Sequence, residues 1–137
     1  MTPRLLMSTS AAMLGAAGLA FLFAPVELQR LVVGPTAIPV PPILIQLWGA
    51  ALLGLASANW LGRGLLLGGI YSRALVIGNV MHWTVGTLVG ARAAMGRPAP
   101  ALWWVAATVY GVFALGFTWL LYRHPLPTPP STAAGSN

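Results

Sequence analysis

The chain has no cysteine, no lysine and a single acidic residue among its 137 positions. Without cysteine it can form no disulfide and offers no thiol nucleophile, iron–sulfur cluster or cysteine-ligated metal site. Glu27 has no second carboxylate with which to perform paired acid–base catalysis. No serine–histidine–acid set or metal-ligand cluster is evident in the pattern either. These absences weigh against an enzyme.

Charge is scarce as well: 6% of residues are charged and 58% are hydrophobic, with a mean hydropathy of +0.81. Soluble domains carry about 25% charged residues, and so few charges could not cover a surface that faces water. The formal charge of +6 comes from seven arginines, which stand singly at the ends of hydrophobic runs. That placement indicates contact with lipid phosphates and no nucleic-acid binding.

Four apolar runs of about 20 residues are too long for barrel strands of about 9–11 residues and lack their two-residue alternation. The sequence therefore predicts an all-α, polytopic membrane protein with a transmembrane domain over residues 1–124. The predicted helices cover residues 5–24, 43–61, 70–91 and 101–121. The first run exceeds the apolar region of a signal peptide and ends at no small-x-small site, so we expect it to be retained.

The connecting segments are rich in proline. A short amphipathic helical turn from Val26 to Val33 is predicted at the membrane interface, before the prolines at 35, 39, 41 and 42. Residues 125–137 contain four prolines and small polar residues, a composition that predicts a disordered tail.

Short connections predict an antiparallel four-helix bundle. Ala50, Gly54 and Ala58 recur at every fourth position, a pattern that predicts close helix packing in membranes. Asn59 and Trp60 are expected near the membrane–water boundary. An even number of spans places both termini on one side, which holds four arginines against three on the other. The excess predicts cytoplasmic termini.

The third span carries polar side chains near its middle. Asn79 and His82 are three positions apart, so they lie on nearly the same helix face. Because an unpaired polar group in hydrocarbon is costly, this face should point into the bundle. The available partners on the second and fourth spans are Gln46, Ser57, Thr108 and Tyr110.

Several functions fit this polar centre. Asn79 and His82 could serve only to join helices by hydrogen bonds. Gly78 precedes His82 by four positions and leaves room for a flat macrocycle beside an axial imidazole, as in helices that bind haem or bacteriochlorophyll. A quinone or lipid-like carbonyl could instead bind His82, Asn79 and Tyr110, and a third alternative is a path for protons or small solutes.

The candidate ligand-binding residues are therefore His82, Asn79, Gly78, Tyr110 and Gln46. His82 would act as a metal ligand if a tetrapyrrole is bound. Whether the cofactor is a tetrapyrrole, a quinone or none is left open by the pattern.

In length and layout, from about Leu5 to Leu121, the chain resembles small four-helix bacterial inner-membrane proteins of the DoxX-like and uncharacterised groups. Such families include partners of oxidoreductases and quinone-linked systems, so the resemblance implies an accessory role. We therefore expect a structural or accessory subunit of a larger membrane complex, in contact with lipid and other membrane-protein subunits.

Overall fold

The computed structural model describes residues 2–33, 40–64, 70–96 and 101–123. Its helices are α1 (Pro3–Phe23), α2 (Pro25–Val33), α3 (Pro42–Gly62), α4 (Ile70–Ala94) and α5 (Ala101–Arg123). No strand occurs within these ranges, which confirms the all-α prediction for the described residues. The predicted disordered tail at 125–137 lies outside them.

Proline and glycine set several helix bounds. Pro3, Pro25 and Pro42 each begin a helix, a position where the missing N–H has no partner to lose. The last helical residue of α4 is Ala94, three residues beyond the predicted span, and a turn follows in which the Gly96 N–H donates to the Ala93 carbonyl at 3.1 Å. Hydropathy therefore reports the apolar length, whereas local backbone geometry decides where the helix ends.

α1 and α3 pack together through two glycines. A Cβ added to Gly18 would lie 2.8 Å from the Gly49 carbonyl oxygen, and one added to Gly49 would lie 2.7 Å from the Gly18 oxygen. The side-chain amide of Gln46 also donates to the Leu22 carbonyl at 3.2 Å. Only residues without a side chain allow the two backbones to approach this closely.

The predicted small-residue ridge of α3 does not make this contact. Ala50 and Gly54 are exposed, and a Cβ added to Gly54 would meet nothing within 4 Å. That prediction is wrong because the packed face passes through Gly49, Leu52 and Ala56. The spacing of small residues predicts a ridge on α3 but does not predict which face of α3 packs against another helix.

α4 and α5 form the second close pair. A Cβ added to Gly90 would lie 3.4 Å from the Ala107 Cα, and Gly86 lies directly against the Tyr110 ring. Trp83 stacks on Phe113 with ring centroids 4.4 Å apart. Gly86 and Gly90 of α4 thus leave room for the Tyr110 ring and the Ala107 backbone of α5.

The two pairs share one apolar core. Its buried residues come from all four long helices: Leu6, Met7, Leu14, Leu52, Ala56, Val76, Trp83, Ala114, Phe117 and Leu120. The outer faces are apolar too, with large exposed side chains such as Trp48, Leu88 and Leu115. The structure confirms four helices long and apolar enough to cross a membrane.

Candidate functional site

Three polar side chains meet inside the apolar core and form what we call the amide network: Ser10 of α1, Asn59 of α3 and Asn79 of α4. Asn59 Nδ2 donates to Asn79 Oδ1 at 2.7 Å, and Asn79 Nδ2 returns a bond to Asn59 Oδ1 at 2.6 Å. Asn59 Nδ2 also donates to Ser10 Oγ at 2.9 Å. The network therefore connects three helices through one asparagine pair.

All three residues of the network are 0% exposed. Asn79 Nδ2 also donates to the Leu75 carbonyl at 2.9 Å, so both amides have donors and acceptors in use. An interhelical hydrogen bond of this kind contributes about 0.6–2 kcal/mol, and an orphaned partner costs about 1–3 kcal/mol. The arrangement suits a structural role because the side-chain amides are already hydrogen-bonded to one another, to Ser10 and to the backbone.

The network includes two residues that the sequence did not assign to the site. Asn59 was expected near the membrane–water boundary, a prediction of its depth in the membrane, and the structure adds that its side chain is completely buried among the helices. Ser10 carried no spacing signal. The presence of one asparagine in each of two neighbouring spans could have suggested the pairing, since two primary amides complement each other's donors and acceptors.

His82 lies one turn further along α4 and belongs to a different group, the aromatic cluster of His82, Trp83, Tyr110 and Phe113. The His82 ring centroid is 5.2 Å from that of Trp83 and 5.6 Å from that of Tyr110. Trp83 and Tyr110 meet edge to face at 4.7 Å. Because Gly86 has no side chain, the Tyr110 ring can lie against the α4 backbone beside His82.

Two ring nitrogens in this cluster are buried without a hydrogen-bond partner among the described residues: His82 Nε2 and Trp83 Nε1. An indole N–H can only donate, whereas an imidazole nitrogen donates or accepts according to its tautomer. Leaving such groups unpaired in an apolar interior costs free energy. A small polar acceptor beside Trp83 would remove that cost.

The predicted ligand-binding residues therefore separate into different places. His82 and Tyr110 are together in the aromatic cluster, whereas Asn79 turns to Asn59 and Ser10. Gly78 is exposed, and a Cβ added there would meet nothing within 4 Å. Gln46 lies 13 residues before Asn59 in α3, about 20 Å along the helix at 1.5 Å per residue, and bonds α1 there.

Four further hydroxyls in the described spans form hydrogen bonds within their own helix. The hydroxyls of Thr9, Ser57, Thr87 and Thr108 each donate to a backbone carbonyl four residues earlier. Arg4, Arg73, Arg92 and Arg123 lie in the first or last turn of a long helix. Among the described residues no group of three or more histidine, cysteine or acidic side chains could hold a metal ion.

The chain matches no protein-family profile, no curated protein and no solved structure. The DoxX-like assignment consequently stays a resemblance in layout.

Proposed function

We propose that this chain is an integral protein of a bacterial inner membrane, with cytoplasmic termini, that acts as a structural or accessory subunit of a larger complex. In this proposal the four long helices form an antiparallel bundle. The order of contacts supports that arrangement: Leu22 meets Gln46, Gly18 meets Gly49 and Ser10 meets Asn59. Later residues of α1 thus contact earlier residues of α3.

The observation that carries the proposal is the internal use of polar groups beside an apolar outer surface. Asn59 and Asn79 satisfy each other, and the hydroxyls of Ser57, Thr87 and Thr108 bond their own helices. In contrast, Leu115 is 74% exposed and Trp48 is 69% exposed. Surfaces of this kind suit lipid and the helices of other subunits.

Site-specific photocrosslinking in the native membrane tests the accessory role. A crosslinking amino acid at Leu88 of α4 or Leu115 of α5, both exposed, should give one discrete protein product at one of the two positions. The same probe at Leu19 of α1, also exposed, tests the opposite pair of helices. Crosslinks to lipid alone at every position would contradict the accessory role.

The second candidate function is binding of a hydrophobic ligand at the aromatic cluster. The unpartnered nitrogens of His82 and Trp83 favour a ligand with a carbonyl acceptor, such as a quinone or a lipid-like molecule. Protein atoms cover both nitrogens, so either kind of ligand requires neighbouring side chains to move. Axial ligation of haem or bacteriochlorophyll has less support because a macrocycle beside His82 requires a larger displacement than a single carbonyl group.

Transport of protons or small solutes has the least support of the alternatives. Pathways through membranes are commonly marked by ionisable groups inside the spans. In the described parts of the long helices, the charged side chains stand in the first or last turn, which leaves His82 and the neighbouring Tyr110 phenol as the ionisable groups with a place in a relay.

A further inference from the structure

A groove of about 420 Å³ opens on the outer surface between α1 and α3. Ala11, Ala12 and Gly15 line it from α1, and Leu53, Ala56 and Trp60 line it from α3. The groove is recessed between the two helices because small residues face each other at its base. A Cβ added to Gly15 would lie 3.8 Å from the Ala56 Cβ. Its size is within the range of about 300–1,000 Å³ typical of ligand sites.

A positive charge stands against Trp60, one of the residues that line the groove. The Arg63 guanidinium carbon lies 3.4 Å from the Trp60 ring centroid, and Arg63 Nη1 donates to the Trp60 carbonyl at 2.9 Å. Stacking and one hydrogen bond fix the guanidinium plane, and the other four N–H groups remain as donors for a phosphate. Trp60, which forms a wall of the groove, and Arg63, which carries the charge, are thus three residues apart along the chain.

The length of the site matches one leaflet of a bilayer. From Leu53 to Arg63 is ten residues, or about 15 Å of helix, which is half of a hydrocarbon core about 30 Å thick. The charge distribution also suits an anion. Glu27, the only acid of the chain, follows the far end of α1, whereas Arg4 lies at the end nearer the groove.

We propose that this groove binds an anionic phospholipid, with one acyl chain along the small residues and the phosphate on Arg63. The proposal rests on the membrane location proposed above. Trp60 has two functions in it, since its ring forms a wall of the groove and holds the guanidinium in place. Ala12 is exposed at the groove, so a larger side chain there fills the site without entering the core.

Native mass spectrometry of the full chain tests the site. The delipidated protein is mixed with equal amounts of phosphatidylglycerol and phosphatidylcholine that have identical acyl chains. The wild type should retain phosphatidylglycerol about fivefold more, the preference expected from about 1 kcal/mol per arginine near anionic lipid. Arg63→Gln should remove the preference, and Ala12→Leu should reduce retention of both lipids.

Two matched variants serve as controls. Arg123 stacks on Trp119 with its guanidinium carbon 4.6 Å from the ring centroid, but Trp119, unlike Trp60, does not line the groove, so Arg123→Gln should keep the preference. Ala16 is exposed on α1 and also lies outside the groove, so Ala16→Leu should behave as wild type. Equal losses in Arg63→Gln and Arg123→Gln would show general surface attraction and overturn the lipid site.

Carbonate extraction of membranes separates the failure of the two proposals. A wild-type chain released by carbonate would contradict membrane integration and the lipid site together. A chain that stays in the membrane but binds both lipids equally would overturn the lipid site alone. Melting curves of Arg63→Gln and Ala12→Leu identify an unfolded variant, and the lipid preference of the folded one then decides the outcome.

Discussion

Asn59 and Asn79 face each other across α3 and α4 and exchange two hydrogen bonds of 2.7 and 2.6 Å. Each amide is completely buried, so neither could exchange its partner for water. Loss of one side chain would leave the other with unpaired donor and acceptor atoms in an apolar interior, where such atoms are costly. The pair therefore behaves as a unit.

We expect the single substitutions Asn59→Leu and Asn79→Leu to lower the free energy of unfolding by about 1–3 kcal/mol each. The double variant should lose less than the sum, because no orphaned amide remains. A coupling free energy of about 0.5–3 kcal/mol is typical of residues in one network. Reversible unfolding in mixed detergent micelles, followed by circular dichroism, measures all three values.

Thr108→Val is the control for this cycle. The Thr108 hydroxyl is bonded to the Trp104 carbonyl of its own helix and lies on an exposed face, so its loss should change stability little. Strict additivity of Asn59→Leu and Asn79→Leu would contradict a paired network.

Close approach of α1 and α3 at Gly18 and Gly49 gives a second prediction. A methyl group on either glycine would lie within 3 Å of a backbone oxygen on the other helix, so Gly49→Ala should separate the helices and destabilise the protein by about 1–3 kcal/mol. Gly54→Ala adds the same methyl group in open space and should be neutral or stabilising by up to about 1 kcal/mol. Thermal unfolding of the two variants in one detergent provides the comparison.

Apolar length and proline positions were enough to predict four long helices and the short helix after Pro25. Such features are local, so a sequence displays them directly. The packed faces were less predictable because all sides of these helices are apolar. The pattern Ala50, Gly54 and Ala58 resembles the pattern through Gly49, Leu52 and Ala56, yet only the second is buried.

The candidate site was predictable in part for the same reason. Helical spacing placed Asn79 and His82 on nearby faces, but a difference of 60° around the axis directs one to α3 and the other to α5. Asn59 was missed as a site residue because the burial of its side chain depends on how α3 is positioned against α4. That position is set by long-range packing and does not appear in any local window of sequence.

Gly86 and Gly78 of α4 form a matched pair of glycines, as Gly49 and Gly54 do in α3. The Tyr110 ring occupies the place where a Gly86 side chain would be, whereas a Gly78 side chain would enter open space. Gly86→Ala should therefore displace Tyr110 and lower stability by about 1–3 kcal/mol, and Gly78→Ala should not. Adding Tyr110→Ala to Gly86→Ala should cost less than the two single changes summed, as a double-variant cycle in detergent would show. A Gly86→Ala protein as stable as Gly78→Ala would contradict the ring contact.

Trp83 provides the sharpest test of a ligand at the aromatic cluster. Trp83→Phe keeps an aromatic ring against Phe113 and removes the unpartnered N–H together with part of the buried indole ring. The smaller ring leaves a cavity that lowers stability, so a melting curve in detergent first establishes that the variant is folded. If a quinone carbonyl accepts from that N–H, the amount of quinone in organic extracts of the purified protein should fall by up to about tenfold, since one hydrogen bond contributes about 0.5–1.5 kcal/mol. His82→Ala should reduce the amount of extracted quinone as well, and a visible absorption band that disappears in His82→Ala would instead identify a tetrapyrrole.

Thr84→Ala, on an exposed position of the same helix turn, should leave the extracted ligand unchanged. A wild-type extract without quinone, other lipid-like carbonyl compound or pigment would contradict the ligand site and leave the accessory role as the function that the polar groups support.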